Sequence, residues 1–150
     1  LDLTINGQSV GEAAWAAAFA GHFGVPIGMI TGDDQLKAQV ERELPPGFHY
    51  VMSKTGMAHE CARLRPLADV RDEIRETAAA ALADIEGLTV YRPKLPLTVT
   101  MRLRHWEGLE ICEAIPTIER LDVNTLRFQA ANVIEAQKCF VAINRLAPRP

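Results

Sequence analysis

The chain has 150 residues, 48% of them hydrophobic and 23% charged, with a net charge of −3. That is a globular composition with enough apolar mass for a sizeable core. It excludes the basic surface a nucleic-acid binder needs, and no apolar run approaches the ~20 residues that cross a bilayer.

Leu1 to Ile5 alternates apolar and polar residues, as a half-buried strand does, and Asn6-Gly7 is a hairpin-turn signal. The chain opens as though in mid-strand, so an upstream piece is expected. From Glu12 to Phe23 the residues are mostly alanine, with Trp15 and Phe19 one turn apart. This predicts a helix that is apolar nearly all round and buried on most sides. Gly24 suits its C-terminal cap, and Pro26 stops any continuation. Pro26 to Thr31 is a short apolar run, read as a buried strand of parallel type. An aspartate of Gly32-Asp33-Asp34 is placed to cap the next helix, in which Leu36, Val40 and Leu44 recur until Pro45-Pro46-Gly47.

Phe48 to Ser53 predicts a further strand, and Pro66 to Ile85 the clearest helix, with Leu67, Val70, Ile74, Ala78, Leu82 and Ile85 on its apolar face. Leu97, Val99, Met101 and Leu103 alternate with Thr98, Thr100, Arg102 and Arg104. Such alternation marks a strand with one wet face and antiparallel neighbours, here taken for an edge strand. A short helix near Glu107 to Ala114, a brief strand from Leu126 to Phe128 and a last helix from Ala131 to Leu146 complete the order. Asn132, Glu135, Lys138 and Arg145 form the polar stripe of that helix. The expected class is α/β: a three-layer α/β front segment (residues 1–47) followed by an α+β lobe (residues 48–150), together part of a larger two-part subunit.

Cys61, Cys112 and Cys139 are too few and too scattered for a disulfide framework or a zinc knuckle and read as cytoplasmic free thiols. "HECAR" at His59 to Arg63 misses the second histidine of the H-E-x-x-H zinc motif. His49 and His105 lack ligand-type neighbours. "GVPIG" and "TGDD" lack the glycine spacing of a phosphate loop. Adjacent Ser53 and Lys54 point to opposite faces of a strand and make no nucleophile pair.

Carboxylates are more informative. A helix of ~18 Å from Glu12 to Phe23, followed by a strand of about six residues at ~3.3 Å each, is expected to return Asp33 and Asp34 to the end of the layer where Glu12 begins. Three carboxylates at one rim make a cation or polar-substrate site. Each also has a structural explanation, since Glu12 complements a helix dipole and an aspartate caps a helix. The residues alone leave both open.

"NG…VGE" (Asn6 to Glu12) followed by "GVPIGMITGDD" (Gly24 to Asp34) resembles the signature of the self-compartmentalising zinc D-aminopeptidases, a type first known from a bacterial dipeptide-transport operon. Ser53-Lys54, "RETAAAALADIEG" (Arg75 to Gly87), "PLTVTMRLR" (Pro96 to Arg104) and "IPTIERLDVNTLRFQAANVIEA" (Ile115 to Ala136) run parallel to the same family. The similarity extends over essentially the whole chain and matches the carboxyl-terminal half of a family member. The resemblance implies that Glu12 is a ligand of a two-zinc centre. The remaining ligands (an Asp, a Glu and two His) and the catalytic histidine would lie upstream, on an amino-terminal half or separate subunit. It also implies a homo-oligomeric ring whose inner chamber admits short peptides or small amides. Asp33, Asp34, Lys54 and His59 are candidates for contacting substrate or supporting the metal ligand. Ala16 stands where the family usually has Asn, and His59 where an Arg is common, so the substrate pocket differs. The rival expectation is an accessory or assembly subunit that keeps the fold without the chemistry.

Overall fold

The computed structural model describes residues 2–104 and 108–147. Leu1, His105 and Glu107, named above, lie outside them. The fold is mixed α/β, as expected, with a five-stranded sheet, a three-stranded sheet and five helices among the described residues.

Strand β1 (Asp2–Ile5) turns back into β2 (Gln8–Ser9) through Asn6 and Gly7, both at positive φ (52° and 81°). Two successive positive φ angles define the two-residue hairpin turn that Asn-Gly favours. The Asn6 side chain locks this turn onto the middle of the sheet, accepting from the Thr98 N–H and donating to the Lys94 carbonyl, each over 2.8 Å. Strand β6 (Leu97–Arg102) is the central strand of the order β2-β1-β6-β8-β7, with β8 (Thr125–Ala130) and β7 (Ile118–Arg120) completing the sheet. It is therefore not an edge strand. The alternation read along it is correct: Leu97, Val99 and Met101 are fully buried, and Thr98, Thr100 and Arg102 face the other way. A wet face says nothing about whether both ladders of a strand are paired, and here both are.

Helices α1 (Glu12–His22) and α5 (Val133–Leu146) cover the buried face of this sheet and pack on each other through Trp15 and Phe140, whose ring centroids lie 5.0 Å apart. Helix α1 ends as its sequence predicts. Gly24 takes φ 77°, its N–H reaches the Gly21 carbonyl, and the Val25 N–H reaches back to Ala20. These are the paired bonds of a glycine-terminated helix. The helix is not buried on most sides, however: Ala14, Trp15, Ala17, Ala18 and Gly21 are buried, while Glu12, Ala16, Phe19 and Phe23 form an exposed ridge. Helix α5 starts two residues later than expected because Asn132 is its cap, not part of its stripe. The Asn132 carboxamide oxygen accepts from the Glu135 N–H at 3.0 Å, and Glu135 accepts from the Ala131 N–H at 2.8 Å. The short α4 (Leu109–Cys112) fills one end of the core.

The second sheet has the order β3-β4-β5, formed by β3 (Met29–Asp33), β4 (His49–Ala58) and β5 (Cys61–Leu64). Strands β3 and β4 are parallel, as expected, linked by helix α2 (Asp34–Glu43). Strand β3 is not buried, though: its five residues are half-buried or exposed. The expected strand from Phe48 to Ser53 continues to Ala58 and doubles back through His59 and Glu60, so "HECAR" is a hairpin turn and strand rather than a helix. Helix α3 (Leu67–Ala83) packs on this sheet through Val70 and Ala81, whereas Leu67, Leu82 and Ile85 of its predicted apolar face stay exposed.

Candidate functional site

Glu12 occupies the first position of α1, directly after the capping residue Gly11. An acid at a helix start ordinarily complements the positive end of the helix dipole. Here another acid already serves that end. The Gly11 N–H donates to Glu43 Oε2 over 2.7 Å, and Gln39 Nε2 donates to Glu43 Oε1 over 2.9 Å. The two helices lie close here: a Cβ on Gly11 would come 2.0 Å from Gln39 Nε2, so the end of that side chain would have to move aside. With Glu43 bonded at both oxygens, the exposed Glu12 carboxylate has no hydrogen bond or ion pair among the described residues. Sequence reading missed Glu43. A carboxylate near the end of α2 carries no local signal that it serves another helix.

Glu12 is one of the residues lining a cleft of about 640 Å³, with Leu3, Val10, Trp15, Phe19 and Phe140 among the others. Trp15 Nε1–H donates to Gln137 Oε1, a bond between two lining residues that fixes the indole. The cleft thus combines one anionic residue with a mostly apolar lining, a form suited to small ligands that carry one charged or polar end.

Asp33 and Asp34 do not join Glu12. Gly11 abuts the last turns of α2, while Asp33 and Asp34 sit at its first turn. Roughly 14 Å of helix axis separates Asp34 from Glu43. The expectation of a three-carboxylate rim fails because α1 and β3 belong to different layers: α1 covers the five-stranded sheet, and the chain crosses to the other sheet before β3 begins. Each aspartate has a local role instead. Asp33 Oδ1 caps α2 by accepting from the Leu36 N–H at 2.8 Å. Asp34 Oδ1 accepts from the Gly56 N–H at 2.7 Å, and this bond foremost holds its carboxyl below the ordinary carboxylate range. Lys54 pairs in register with Asp33, so Asp33, Asp34 and Lys54 share one end of β3 and β4. Tyr50 closes that corner by donating to the Asp33 carbonyl over 2.6 Å; partial burial, then the charges of Asp33 and Asp34, push its phenol above the usual value. His59 stands apart and exposed at the tip of the β4–β5 hairpin.

No three His, Cys, Asp or Glu side chains gather to hold a metal ion among the described residues. These residues do not compose a zinc centre by themselves. Glu12 fits the part of one oxygen donor, being anionic, exposed and without a competing partner.

Comparison with known proteins bears on the whole chain. A D-aminopeptidase of Bacillus subtilis (strain 168) is 25% identical over 146 residues, 97% of this chain and 53% of that protein. The solved structure of the Zn-dependent D-aminopeptidase DppA from Bacillus subtilis, a self-compartmentalizing protease, superposes with a TM-score of 0.88 at 24% identity. That match takes in 99% of this chain and 54% of the other. The chain therefore spans about half the length of the relatives it matches. A profile of the D-aminopeptidase peptidases matches residues 1–142, and the chain belongs to that family.

Proposed function

We propose that this chain is the carboxyl-terminal part of a zinc-dependent aminopeptidase or amide hydrolase acting on short peptides or small amides. In this reading Glu12 supplies one carboxylate to a two-zinc centre. The other ligands and the catalytic groups come from a complementary amino-terminal half. The observation that carries it is the Glu12 carboxylate, unpartnered among the described residues and lining a mostly apolar cleft, with Glu43 already serving the helix end. Family membership and a span of half the relatives' length support it. Bound zinc would polarise an amide carbonyl and lower the pKa of a water; Trp15, Phe19 and Phe140 would shield that chemistry and receive an apolar side chain. Asp33 and Asp34 are engaged in capping and in pinning Gly56, and Lys54 and His59 also stand away from Glu12, so these four would meet only a part of the substrate that extends beyond the cleft. A homo-oligomeric, cytoplasmic assembly around a chamber belongs to the same proposal.

The test is zinc content and hydrolysis of chromogenic D- and L-amino-acid anilides by the chain, alone and co-expressed with the complementary half. Zinc and hydrolysis are expected only together. Glu12→Gln in the assembled protein should lower both by roughly tenfold or more with the fold intact. Unchanged zinc and activity in that variant would make Glu12 a dipole-complementing acid. An assembled wild-type protein with neither zinc nor hydrolysis would favour the accessory subunit.

A further inference from the structure

We propose that the open edge of β3 is the docking site for a strand of the complementary half, which extends the three-stranded sheet. The proposal rests on the reading that such a half exists. Among the described residues β3 pairs with β4 alone. The pairing is parallel, and the His49 N–H donates to the Gly28 carbonyl over 3.0 Å. Bonding residues alternate along a parallel ladder, so Gly28 and Ile30 face β4 while the N–H and C=O groups of Met29 and Thr31 point to the open side.

Exposed edges of this kind are templates for another strand, and proteins ordinarily blunt them with charge, brevity, proline or bulges. The other edges here are blunted. Strand β2 has two residues, β7 has three with Glu119 and Arg120 among them, and β5 has four with Arg63. Strand β3 has five residues, with neither charge nor proline from Met29 to Thr31, and its register shift comes only after Gly32. Its apolar side chains tell the same story. Met29 and Ile30 are only half-buried, although parallel strands are normally covered on both faces, whereas Val51 in neighbouring β4 is fully buried. The segment leading into β3 is also uncovered, with Phe23 64% and Val25 52% exposed. The occupant is taken to be a strand of that half, because the superposed relative extends beyond the matched part by 46% of its length (100% less the 54% covered), chain enough to supply one.

The test uses the tagged chain co-expressed with the complementary half from the same source. Thr31→Pro removes an outward N–H without touching the ladder to β4, and proline is tolerated on edge strands. It should weaken association about tenfold or more. Because proline could disturb the chain itself, amide exchange is also read in the wild-type assembly, where the Met29 and Thr31 amides should slow by more than about tenfold relative to the chain alone. Undiminished association of Thr31→Pro, or unprotected amides in a zinc-loaded, active assembly, would overturn the docking site and leave the functional reading standing. Protected amides and a proline-sensitive assembly without zinc or hydrolysis would support docking and overturn the function. Amides protected only by a second copy of this chain would overturn the docking proposal outright.

Discussion

The Gly11 N–H and the Glu43 carboxylate meet over 2.7 Å, so the start of α1 is closed by an acid from α2. The neighbouring acid, Glu12, is thereby released from the usual duty of its position. Two carboxylates close together in space therefore carry opposite expectations on mutation.

Glu43→Ala leaves a part-buried N–H and the Gln39 amide without their acceptor, and should destabilise the fold by about 1–3 kcal/mol. Glu12→Gln gives up only a dipole contribution, below about 1 kcal/mol. Urea unfolding of both variants measures the contrast. Equal losses would restore Glu12 to a structural role.

Asp34 makes the fold sensitive to acid. Its pKa is lowered in the folded state, chiefly by the Gly56 N–H, so its contribution is complete above the ordinary carboxylate pKa and disappears as pH falls through the lower, native value. Thermal melts of wild type and Asp34→Asn across this window should differ at neutral pH and converge at the acid end. A constant difference at every pH would contradict the assignment.

Gly21 lies where α1 passes the 91–92 segment: a Cβ there would come 1.9 Å from the Tyr91 carbonyl oxygen, and the Arg92 Nε donates to the Gly21 carbonyl over 3.0 Å. Gly21→Ala must push backbone against backbone and should cost about 1–3 kcal/mol. Gly56→Ala is the control, since nothing lies closer than 3.6 Å to a Cβ at that position. Melting temperatures of the two variants decide it.

Gln137→Leu removes the acceptor of a buried indole N–H and should cost about 1–3 kcal/mol. It should also loosen Trp15 against Phe140, which red-shifted and broadened tryptophan emission would report.

Local patterns were legible in the sequence. Asn6-Gly7 announced its hairpin, Gly24 its helix end, the Asp33-Asp34 pair a cap without saying which of the two serves, and the alternation from Leu97 its buried face. Each depends on neighbours within a few residues. Readings that required knowing which layer an element joins were not legible. The β4–β5 hairpin was missed because His59 and Glu60 form a turn without the usual glycine signal. The grouping of Glu12 with Asp33 and Asp34 failed because nothing in the sequence marks the crossing between sheets. The unpartnered state of Glu12 depends on Glu43, which lies 31 residues downstream (43 − 12).

The central place of β6 has a kinetic consequence. Leu3 is hydrogen-bonded into a ladder opposite Met101, so β1, paired early with β2 on one edge, must wait for residues near the hundredth before its other edge is covered. Closing so long a loop is costly in entropy before any contact compensates for it, and pairing this non-local slows folding. On the ribosome, β3, α2, β4 and α3 can assemble first, because their contacts span short stretches of chain. The amino-terminal hairpin would remain exposed until β6 emerges, and the sheet would close only after β8 arrives to flank it. The three-stranded sheet should therefore fold early and the core beneath Glu12 late.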